Sequence, residues 1–403
     1  MKSMIMSLAG GREILSIPGP TTVPDRVLSA MHRPAVDIYS GPLVDLTDHC
    51  LAELRGLFAV GDGRAYIYAA NGHGAWEAAL SNVLSRGDRI LVLESGRFAA
   101  GWGQMAGDLG VEVTTLAGDW RRAVDPAAVE DALRKDTEHR IKAILVVQVD
   151  TASGVVNDIP AIAAARAAAG HPALLMADCI ASLACMPFDM AAWDVDVAVS
   201  GSQKGLMTPP GLGFVAARGR AFEAHGRADL RTRYWDWTER DGPEHYQKYC
   251  GTPPEHLLFG LTEALVMLRE EGLDAVHARH RLLAGMVHAA VDGWSVPDGI
   301  SCNVIDPAHR SPSVTTVLLP PGIDPETVRG AASRTCGVVL GSGIGALDGK
   351  GFRIAHMGHC NAGATLGVLG AVETALALVG IDHTPGGVQA AVRHLQEVTA
   401  KAG

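Results

Sequence analysis

Short apolar runs alternate with longer helix-like runs from about residue 20 to residue 270, and this alternation constrains the fold more than any other feature of the chain. The runs at residues 89–93, 111–115 and 142–148 have the length and composition of buried strands. The alanine-rich run at residues 159–169 has the composition of a helix and is followed by a glycine and a proline. Strands that alternate with helices predict an α/β fold whose sheet is mostly parallel and covered by helices on both faces.

One lysine, Lys204, lies in a turn of small residues that follows the apolar run at residues 193–199. The turn reads SGSQKG from Ser200 to Gly205, and lysine is scarce in this chain, with 7 lysines against 27 arginines. A lysine in such a turn can form an imine with an aldehyde cofactor, while nearby hydroxyls and backbone N–H groups hold the phosphate of that cofactor. The segment is therefore a candidate site for pyridoxal 5'-phosphate (PLP), with Lys204 as its catalytic lysine.

An aspartate, Asp178, ends the apolar run at residues 173–177 and precedes Lys204 in the chain. Open α/β sheets bind ligands at the carboxyl ends of their strands, so both residues are expected at the same sheet edge. There the Asp178 carboxylate can pair with the ring nitrogen of PLP and keep that nitrogen protonated. A strand-end aspartate can also cap a helix, but Asp178 and Lys204 together favour the cofactor site.

A glycine-rich turn, NGHGAWE from Asn71 to Glu77, follows another apolar run and opens a helical pattern. Small residues let backbone N–H groups approach a phosphate, and a helix N-terminus adds a partial positive charge. Gly72, His73 and Gly74 are therefore predicted near the cofactor phosphate. The turn lacks the third glycine of the dinucleotide-binding fingerprint, which argues against a Rossmann dehydrogenase.

Five further segments, in order along the chain, resemble the class V aminotransferases of the alanine:glyoxylate and serine:glyoxylate type. They are IPGPTTVP at residues 17–24, GWGQ at 101–104, VAVSGSQKGLM at 197–207, YCGTPP at 249–254 and GFRI at 351–354. The resemblance implies the PLP-dependent transferase fold type I, with a mostly parallel seven-stranded sheet and a smaller C-terminal α/β domain. It also implies a homodimer whose subunits share their active sites.

The resemblance assigns domains and residues as well. The expected domains are an N-terminal segment at 1–19, a large PLP-binding domain at 20–275 and a small domain at 276–403. Lys204 and Asp178 are the implied catalytic residues, and Arg353 with Gly19 the implied substrate-binding residues. The implied cofactor-binding residues are Gly72, His73, Gly74, Trp102, Thr151, Asp178, Ser202, Gln203 and Lys204, with Tyr249 and Thr252 contributed by a second subunit.

Trp102 is implied to stack on the cofactor ring, and the glycines on either side of it, Gly101 and Gly103, predict a turn at this point. Thr151 is implied to donate a hydrogen bond on the side of the ring hydroxyl. Arg353 lies in a strand-like run, where an inward-facing arginine is costly unless it meets an anion. A substrate carboxylate is the expected partner, because guanidinium and carboxylate groups pair with two parallel hydrogen bonds.

Two departures from the family pattern leave the substrate open. One is the sequence CIAS at residues 179–182, where the family usually has Gly/Ser-Val-Ser/Ala-Ser after the aspartate. Asp150 lies where the serine:glyoxylate branch usually has glutamate, and Asp150 and His356 also resemble pyridoxamine:pyruvate transaminase, although Ile344 stands where an additional arginine is expected. With Arg353 as the one arginine assigned to the cleft, the expected donors are serine or alanine and the expected acceptors glyoxylate or pyruvate. Pyridoxamine:pyruvate and aspartate:glyoxylate transamination remain alternatives.

A cysteine desulfurase is a further alternative, because Cys336 lies in the right third of the chain for a mobile nucleophile. Desulfurases normally carry histidine directly before the lysine, however, whereas this chain has Gln203. The seven cysteines are scattered and include no Cys-x-x-Cys pair, which argues against a disulfide framework and a structural zinc site. His356 and His359 have no acidic ligand nearby in the sequence, so a metal site is not expected there.

The composition of the chain limits the classes of partner that it is expected to bind. The net charge of −10 argues against nucleic acid. No uninterrupted apolar run approaches the roughly 20 residues that span a bilayer, so no membrane partner is expected. The first nine residues are too short and too weakly apolar for a secretory signal, which predicts a cytoplasmic location.

Overall fold

The structure is a computed structural model that describes the backbone of residues 8–402 and the side chains of residues 8–400. Fourteen strands lie in the described part of the chain, and they form three sheets. The strands are β1 (Ile14–Ser16), β2 (Arg64–Ala69), β3 (Arg89–Leu93), β4 (Glu112–Leu116), β5 (Ile141–Val147), β6 (Val149–Asp150), β7 (Val155–Val156), β8 (Leu174–Asp178), β9 (Val197–Gly201), β10 (Leu212–Ala217), β11 (Ser301–Cys302), β12 (Val314–Leu318), β13 (Val338–Ser342) and β14 (Gly351–Ala355).

Thirteen α-helices connect and cover these strands within residues 8–402. They are α1 (Asp25–Met31), α2 (Pro42–Leu57), α3 (Gly72–Val83), α4 (Arg97–Asp108), α5 (Pro126–Lys135), α6 (Ile159–Ala168), α7 (Arg220–His225), α8 (Trp237–Arg240), α9 (Glu255–Glu271), α10 (Leu273–Trp294), α11 (Pro325–Cys336), α12 (Ala362–Val379) and α13 (Gly387–Ala402). Three short 3-10 helices lie at His245–Tyr249, Pro307–His309 and Gly345–Leu347.

The large sheet has seven strands in the order β2-β10-β9-β8-β5-β3-β4, which confirms the predicted strand number. Strands β9, β8, β5, β3 and β4 pair in parallel, while β10 runs antiparallel to both of its neighbours. In the register of this sheet, Val147 pairs with Asp178, and Asp178 pairs with Val199. The carboxyl ends of β5, β8 and β9 therefore meet at one edge, as predicted.

Helices cover both faces of the large sheet, because its central strands are apolar on both sides. In β5, Ile144 and Val146 pack in a core with helices α2, α5, α6 and α9, whereas Ala143 and Leu145 pack with α3, α4 and α7 on the other face. The sheet is thus doubly wound, and each parallel strand delivers its carboxyl end to a loop at the same edge.

A second sheet of five strands, in the order β1-β13-β14-β12-β11, forms the small domain with helices α10 to α13. Strand β1 comes from the start of the described chain and pairs in parallel with β13, so the N-terminal segment belongs to this sheet. Helix α10 contributes Val276 to the core of the large domain and Leu283 to that of the small domain. The predicted boundary at residue 275 remains a prediction.

Helix α12 is long and apolar enough to cross a membrane by length and composition alone, with a mean hydropathy of 1.7 over 18 residues. In the structure it packs on α10, α11, α13 and β1, and 39% of it is buried inside the protein. Its Leu369 and Leu376 are fully buried in the core of the small domain. The apolar character of α12 is therefore explained by its packing in the core of the small domain.

Candidate active site

A pocket of about 250 Å³ lies at the carboxyl edge of the large sheet. It brings together six of the predicted cofactor-binding residues, which come from α3, the end of β6, the end of β8 and the turn after β9. These residues are Gly72, His73, Thr151, Asp178, Gln203 and Lys204. A larger groove of about 510 Å³ lies at the opposite edge, beside the first residues of β5 and β8, and contains none of the predicted site residues.

Lys204 follows β9 by three residues, and its side chain is buried against the N-terminal segment. Its Nζ donates a hydrogen bond to the backbone carbonyl of Pro18. Gly19 has a φ of 97°, and a Cβ at Gly19 would lie 2.6 Å from Cε and 2.7 Å from Nζ of Lys204. Only a residue without a side chain fits there, so the structure places Gly19 against the lysine.

Thr21 fixes the turn that carries the lysine. The Thr21 N–H donates to the carbonyl of Gln203 at 3.1 Å, and Thr21 Oγ1 donates to the carbonyl of Lys204 at 3.0 Å. These bonds join the N-terminal segment, whose strand β1 lies in the small domain, to the turn of the large domain. The position of the lysine therefore depends on both domains.

Burial lowers the pKa of Lys204 to about 8, and the positive charge of Arg353 acts in the same direction. The negative charges of Asp178 and Asp150 oppose this shift without reversing it. An amine with a pKa near 8 is half neutral at that pH, and only the neutral form attacks an aldehyde or accepts a proton. The environment of Lys204 thus suits both nucleophilic and base chemistry.

Asp178 is the last residue of β8, and only 3% of it is exposed. Its Oδ2 accepts a hydrogen bond from Trp76 Nε1 at 2.8 Å, and its Oδ1 accepts one from the Ile180 N–H at 2.7 Å. Burial raises the pKa of Asp178 to about 7. Within residues 8–400 no cationic side chain forms an ion pair with it, so this buried carboxyl fits a ligand that brings a positive charge.

The N-terminus of α3 forms the wall opposite β9. Asn71 caps this helix, because its side chain accepts a hydrogen bond from the Gly74 N–H at 3.2 Å. A Cβ at Gly201 would lie 3.7 Å from the backbone nitrogen of Gly72, so strand end and helix start are close together. The buried Gln203 Oε1 has no hydrogen-bond partner among the described residues. The free N–H groups at the start of α3 make a cradle that fits a phosphate, and the Gln203 side chain lines the same part of the pocket.

Two predicted phosphate-binding residues do not line the pocket. Ser202 is fully buried, where its Oγ donates to the Pro209 carbonyl at 2.7 Å and accepts from the Leu212 N–H at 3.3 Å. Gly74 instead allows close packing, since a Cβ there would lie 3.2 Å from the ring of Trp235. Both residues shape the walls of the pocket from behind, which corrects their predicted contact with the cofactor.

Trp102 does not face the pocket either, and the predicted turn around it is wrong. It lies inside helix α4, is fully buried, and its ring stacks on Trp76 with centroids 6.0 Å apart and planes 17° apart. Phe98, one helical turn earlier, lines the pocket instead. The two glycines serve helix packing, because a Cβ at Gly103 would lie 2.8 Å from Val92.

Asp150 explains why Phe98 occupies this position. The buried Asp150 carboxylate accepts hydrogen bonds from the N–H groups of Phe98 at 2.8 Å and Ala99 at 3.0 Å. A Cβ at Gly96 would lie between 2.2 and 2.5 Å from the same carboxylate. The first turn of α4 is therefore held at the pocket by Asp150. Gly96, which follows β3 by three residues, is the sequence feature that could have indicated that a side chain packs closely against the start of α4.

Arg353 lies in β14 and approaches the pocket from the small domain. Its Nε donates to the Ser342 carbonyl at 2.6 Å, and its Nη1 donates to the carbonyl of Thr151 at 3.0 Å. Burial lowers the pKa of Arg353 to about 10. No acidic side chain within residues 8–400 forms an ion pair with it. The guanidinium is thus held in place by neutral carbonyls and is available to an incoming carboxylate.

A second arginine, Arg97, lies close to the cleft, although it is not among the residues that line the pocket. Arg97, the first residue of α4, lies next to Phe98, and its charge acts on His73 of the pocket. Burial is the main cause that lowers the pKa of His73, and Arg97 and Lys204 lower it further. Nothing in the sequence around Arg97 indicated this position, since it depends on how α4 meets the small domain.

The two residues expected from a second subunit differ in their exposure. Tyr249 is buried, and its hydroxyl hydrogen-bonds with Thr47 Oγ1 of the same chain at 2.9 Å. Its predicted contact with a partner's site stays a prediction. Thr252 is exposed on the surface of the protomer, and its contact with a partner stays a prediction.

Neither His356 nor Cys336 lines the pocket. The buried His356 ring bonds with Thr315 Oγ1 and with the Pro312 carbonyl, each at 2.9 Å. Cys336 ends helix α11 and packs against the core of the small domain. Both side chains therefore contact other parts of the small domain and do not contribute to the pocket.

Three comparisons with known proteins agree with this site. The family model described as Aminotransferase class-V matches residues 18–347. The serine–glyoxylate aminotransferase of Methylorubrum extorquens is 40% identical over 96% of this chain and 97% of its own length. The L-aspartate–glyoxylate aminotransferase of Paracoccus denitrificans is 35% identical, again over 96% of this chain and 97% of its own length.

A crystal structure of the pyridoxamine–pyruvate aminotransferase from Mesorhizobium loti superposes with a TM-score of 0.87 at 28% identity, covering 95% of this chain and 97% of that one. This likeness confirms the fold type I architecture. The buried carboxyl without a cation, the buried amine and the amide cradle fit PLP as the cofactor. The chain therefore belongs to the class V aminotransferases and is a PLP-dependent aminotransferase.

Proposed function

We propose that this enzyme transfers an amino group from a small amino acid, serine or alanine, to glyoxylate, with pyruvate as the alternative acceptor. The observation that supports this most is the position of Arg353, whose guanidinium contacts the pocket wall at Thr151 and has no acidic partner within residues 8–400. Donor and acceptor both present one carboxylate beside the reacting carbon. Two of the three relatives described above are named for glyoxylate, and the third is named for pyruvate.

Each residue of the pocket has a task in this reaction. Bound PLP supplies the aldehyde that takes up and releases the amino group and a ring that withdraws electrons from the substrate carbon. Lys204 holds the cofactor until the donor arrives and then moves the proton at the substrate α-carbon. Asp178 holds a proton at the ring nitrogen, and Thr151 donates on the side of the ring hydroxyl.

The remaining contacts position the cofactor. Gly72, His73 and Gln203 lie about its phosphate, and Phe98 packs on the ring in place of the predicted Trp102. The proposed homodimer adds Thr252 of the second subunit, a role supported by its exposure on the protomer surface.

Steady-state rates with serine, alanine and pyridoxamine, each with glyoxylate and with pyruvate, test the proposed function. We expect serine or alanine with glyoxylate to give the highest kcat/KM. Arg353→Gln should lower this value by roughly 10²-fold, because charge-assisted hydrogen bonds contribute about 1.5–3 kcal/mol each. Arg353→Lys keeps the positive charge but loses the planar guanidinium, so its kcat/KM should lie between that of the wild type and that of Arg353→Gln. A preference for pyridoxamine would overturn the proposal.

The position of Phe98 gives a separate prediction about the cofactor. Phe98→Ala should weaken PLP binding by roughly tenfold, since ring contacts contribute about 0.5–1.5 kcal/mol beyond the area they bury. Trp102→Phe is the matched control and should leave PLP affinity unchanged, because the Trp102 Nε1 has no hydrogen bond to lose within the described residues. Titration of the apoenzyme with PLP, followed by visible absorbance, measures both. Weaker PLP binding by Trp102→Phe, with unchanged binding by Phe98→Ala, would mean that Trp102 and not Phe98 contacts the cofactor ring.

A further inference from the structure

We propose that Arg97 binds the second carboxylate of a dicarboxylic donor, so that aspartate is a substrate in addition to serine and alanine. The inference rests on the proposed function, because it names a further contact of the same site. Its basis is the place of Arg97 between the two domains, its lack of an acidic partner and the shape of the loop that faces it.

Arg97 begins helix α4 at the edge of the pocket. The next residue, Phe98, lines the pocket, and Asp150 holds this first helical turn in position through two backbone N–H groups. The charge of Arg97 also acts on His73 at the start of α3, whose ring centroid lies 6.4 Å from that of Phe98. The guanidinium lies over the next turn of α4, where a Cβ at Gly101 would be 2.7 Å from Nη1 of Arg97 and 3.7 Å from the ring of Trp76, which lines the pocket.

The small domain leaves room for the Arg97 side chain. Gly345 has a φ of 62°, and a Cβ there would lie 3.1 Å from Cδ of Arg97 and 2.9 Å from the ring of Trp120. Ser342, whose carbonyl holds Arg353, precedes Gly345 by three residues, a span of at most about 10 Å of chain. The two arginines thus approach the same loop, one from each domain.

The charge of Arg97 is not neutralised by the protein. The residue is exposed, and within residues 8–400 no carboxylate forms an ion pair with its guanidinium. The nearby Glu94 accepts a hydrogen bond from Trp120 Nε1 at 2.8 Å, and the Asp150 carboxylate is occupied by backbone N–H groups. An anion at this position must therefore come from outside the described chain.

These positions suit a substrate with two carboxylates. Arg353 takes the carboxylate beside the amino group, and Arg97 takes the one on the side chain, each through paired hydrogen bonds. Without Arg97 a side-chain carboxylate would enter the cleft unpaired, which costs several kcal/mol. A serine hydroxyl needs no such partner, so Arg97 affects aspartate and leaves serine nearly unaffected.

Rates with aspartate and serine, each with glyoxylate as acceptor, test this assignment in the wild-type holoenzyme and in Arg97→Gln. We expect Arg97→Gln to lower kcat/KM by roughly 30-fold for aspartate and by less than about threefold for serine. Arg227→Gln is the matched control, because Arg227 is also exposed and lies at the groove on the opposite edge. It should change neither value.

Binding of a dicarboxylate without an amino group gives a readout that does not depend on turnover. Succinate should perturb the visible absorbance of the holoenzyme, and Arg97→Gln should raise its Kd by roughly tenfold or more while the Kd of propionate stays the same. An unchanged succinate Kd, or equal losses for aspartate and serine, would overturn the assignment. Use of serine without aspartate would overturn it too and leave the proposed function standing, whereas failure of all donors with glyoxylate would remove the proposed function.

Discussion

Lys204→Ala should lower kcat by at least roughly 10³-fold while the protein still binds PLP without a covalent link. The loss of a positioned base alone costs about 10²–10⁴-fold, and the variant also loses the covalent attachment that the donor amine displaces. The proposed contacts of Asp178, Gly72 and Gln203 with the cofactor do not involve Lys204, so we expect binding to persist. Single-turnover and steady-state rates measure the effect.

Lys142→Ala is the matched control for this variant. Lys142 is exposed at the opposite edge of the sheet, and its Nζ donates to the carbonyl of His139. We expect wild-type rates for it. A Lys204→Ala enzyme within tenfold of the wild-type kcat would contradict the assigned role of Lys204.

Asp178→Asn should lower kcat by roughly 10²–10³-fold and leave the fold intact. A carboxylate partner shifts the pKa of a neighbouring group by about 1–3 units, and each unit changes its proton occupancy about tenfold. Asparagine has nearly the same shape but carries no charge, so the ring nitrogen loses the anion that holds its proton. Rates with serine and glyoxylate, together with thermal unfolding of the same samples, separate chemistry from stability.

Trp76→Phe serves as the comparison for the aspartate variant. It removes the hydrogen bond that Trp76 Nε1 donates to Asp178 but keeps the charge of the carboxylate. We expect a loss of roughly tenfold, smaller than that of Asp178→Asn, since a hydrogen bond to a charged group contributes about 1.5–3 kcal/mol and the bond from the Ile180 N–H to Asp178 remains. An Asp178→Asn rate within twofold of wild type would mean that another group pairs with the ring nitrogen.

The elements of the large sheet could be predicted because their signals are local. The predicted strand at residues 89–93 coincides with β3, and the predicted helix at 159–169 differs from α6 by one residue at its end. The pair of Asp178 and Lys204 followed from the same reasoning, because parallel strands deliver their carboxyl ends to one edge. Chain order and hydrophobic pattern were sufficient for this part of the site.

The contribution of α4 to the pocket depended on packing that the sequence does not display. The glycines beside Trp102 predicted a turn, whereas the structure uses Gly103 to bring α4 close to Val92 of β3. This difference moves the pocket contact by one helical turn, from Trp102 to Phe98. The positions of Arg97 and Tyr249 depend on contacts between distant segments, so no local pattern could indicate them.

Borohydride reduction of the holoenzyme, followed by proteolysis and mass mapping of the modified peptide, tests the central claim most directly. Reduction converts the link between PLP and its lysine into a stable bond, and the modified residue can then be identified. The buried amine beside Gly19 and Asp178 predicts a single adduct on Lys204. An adduct on any of the other six lysines, with Lys204 unmodified, would contradict the site described above.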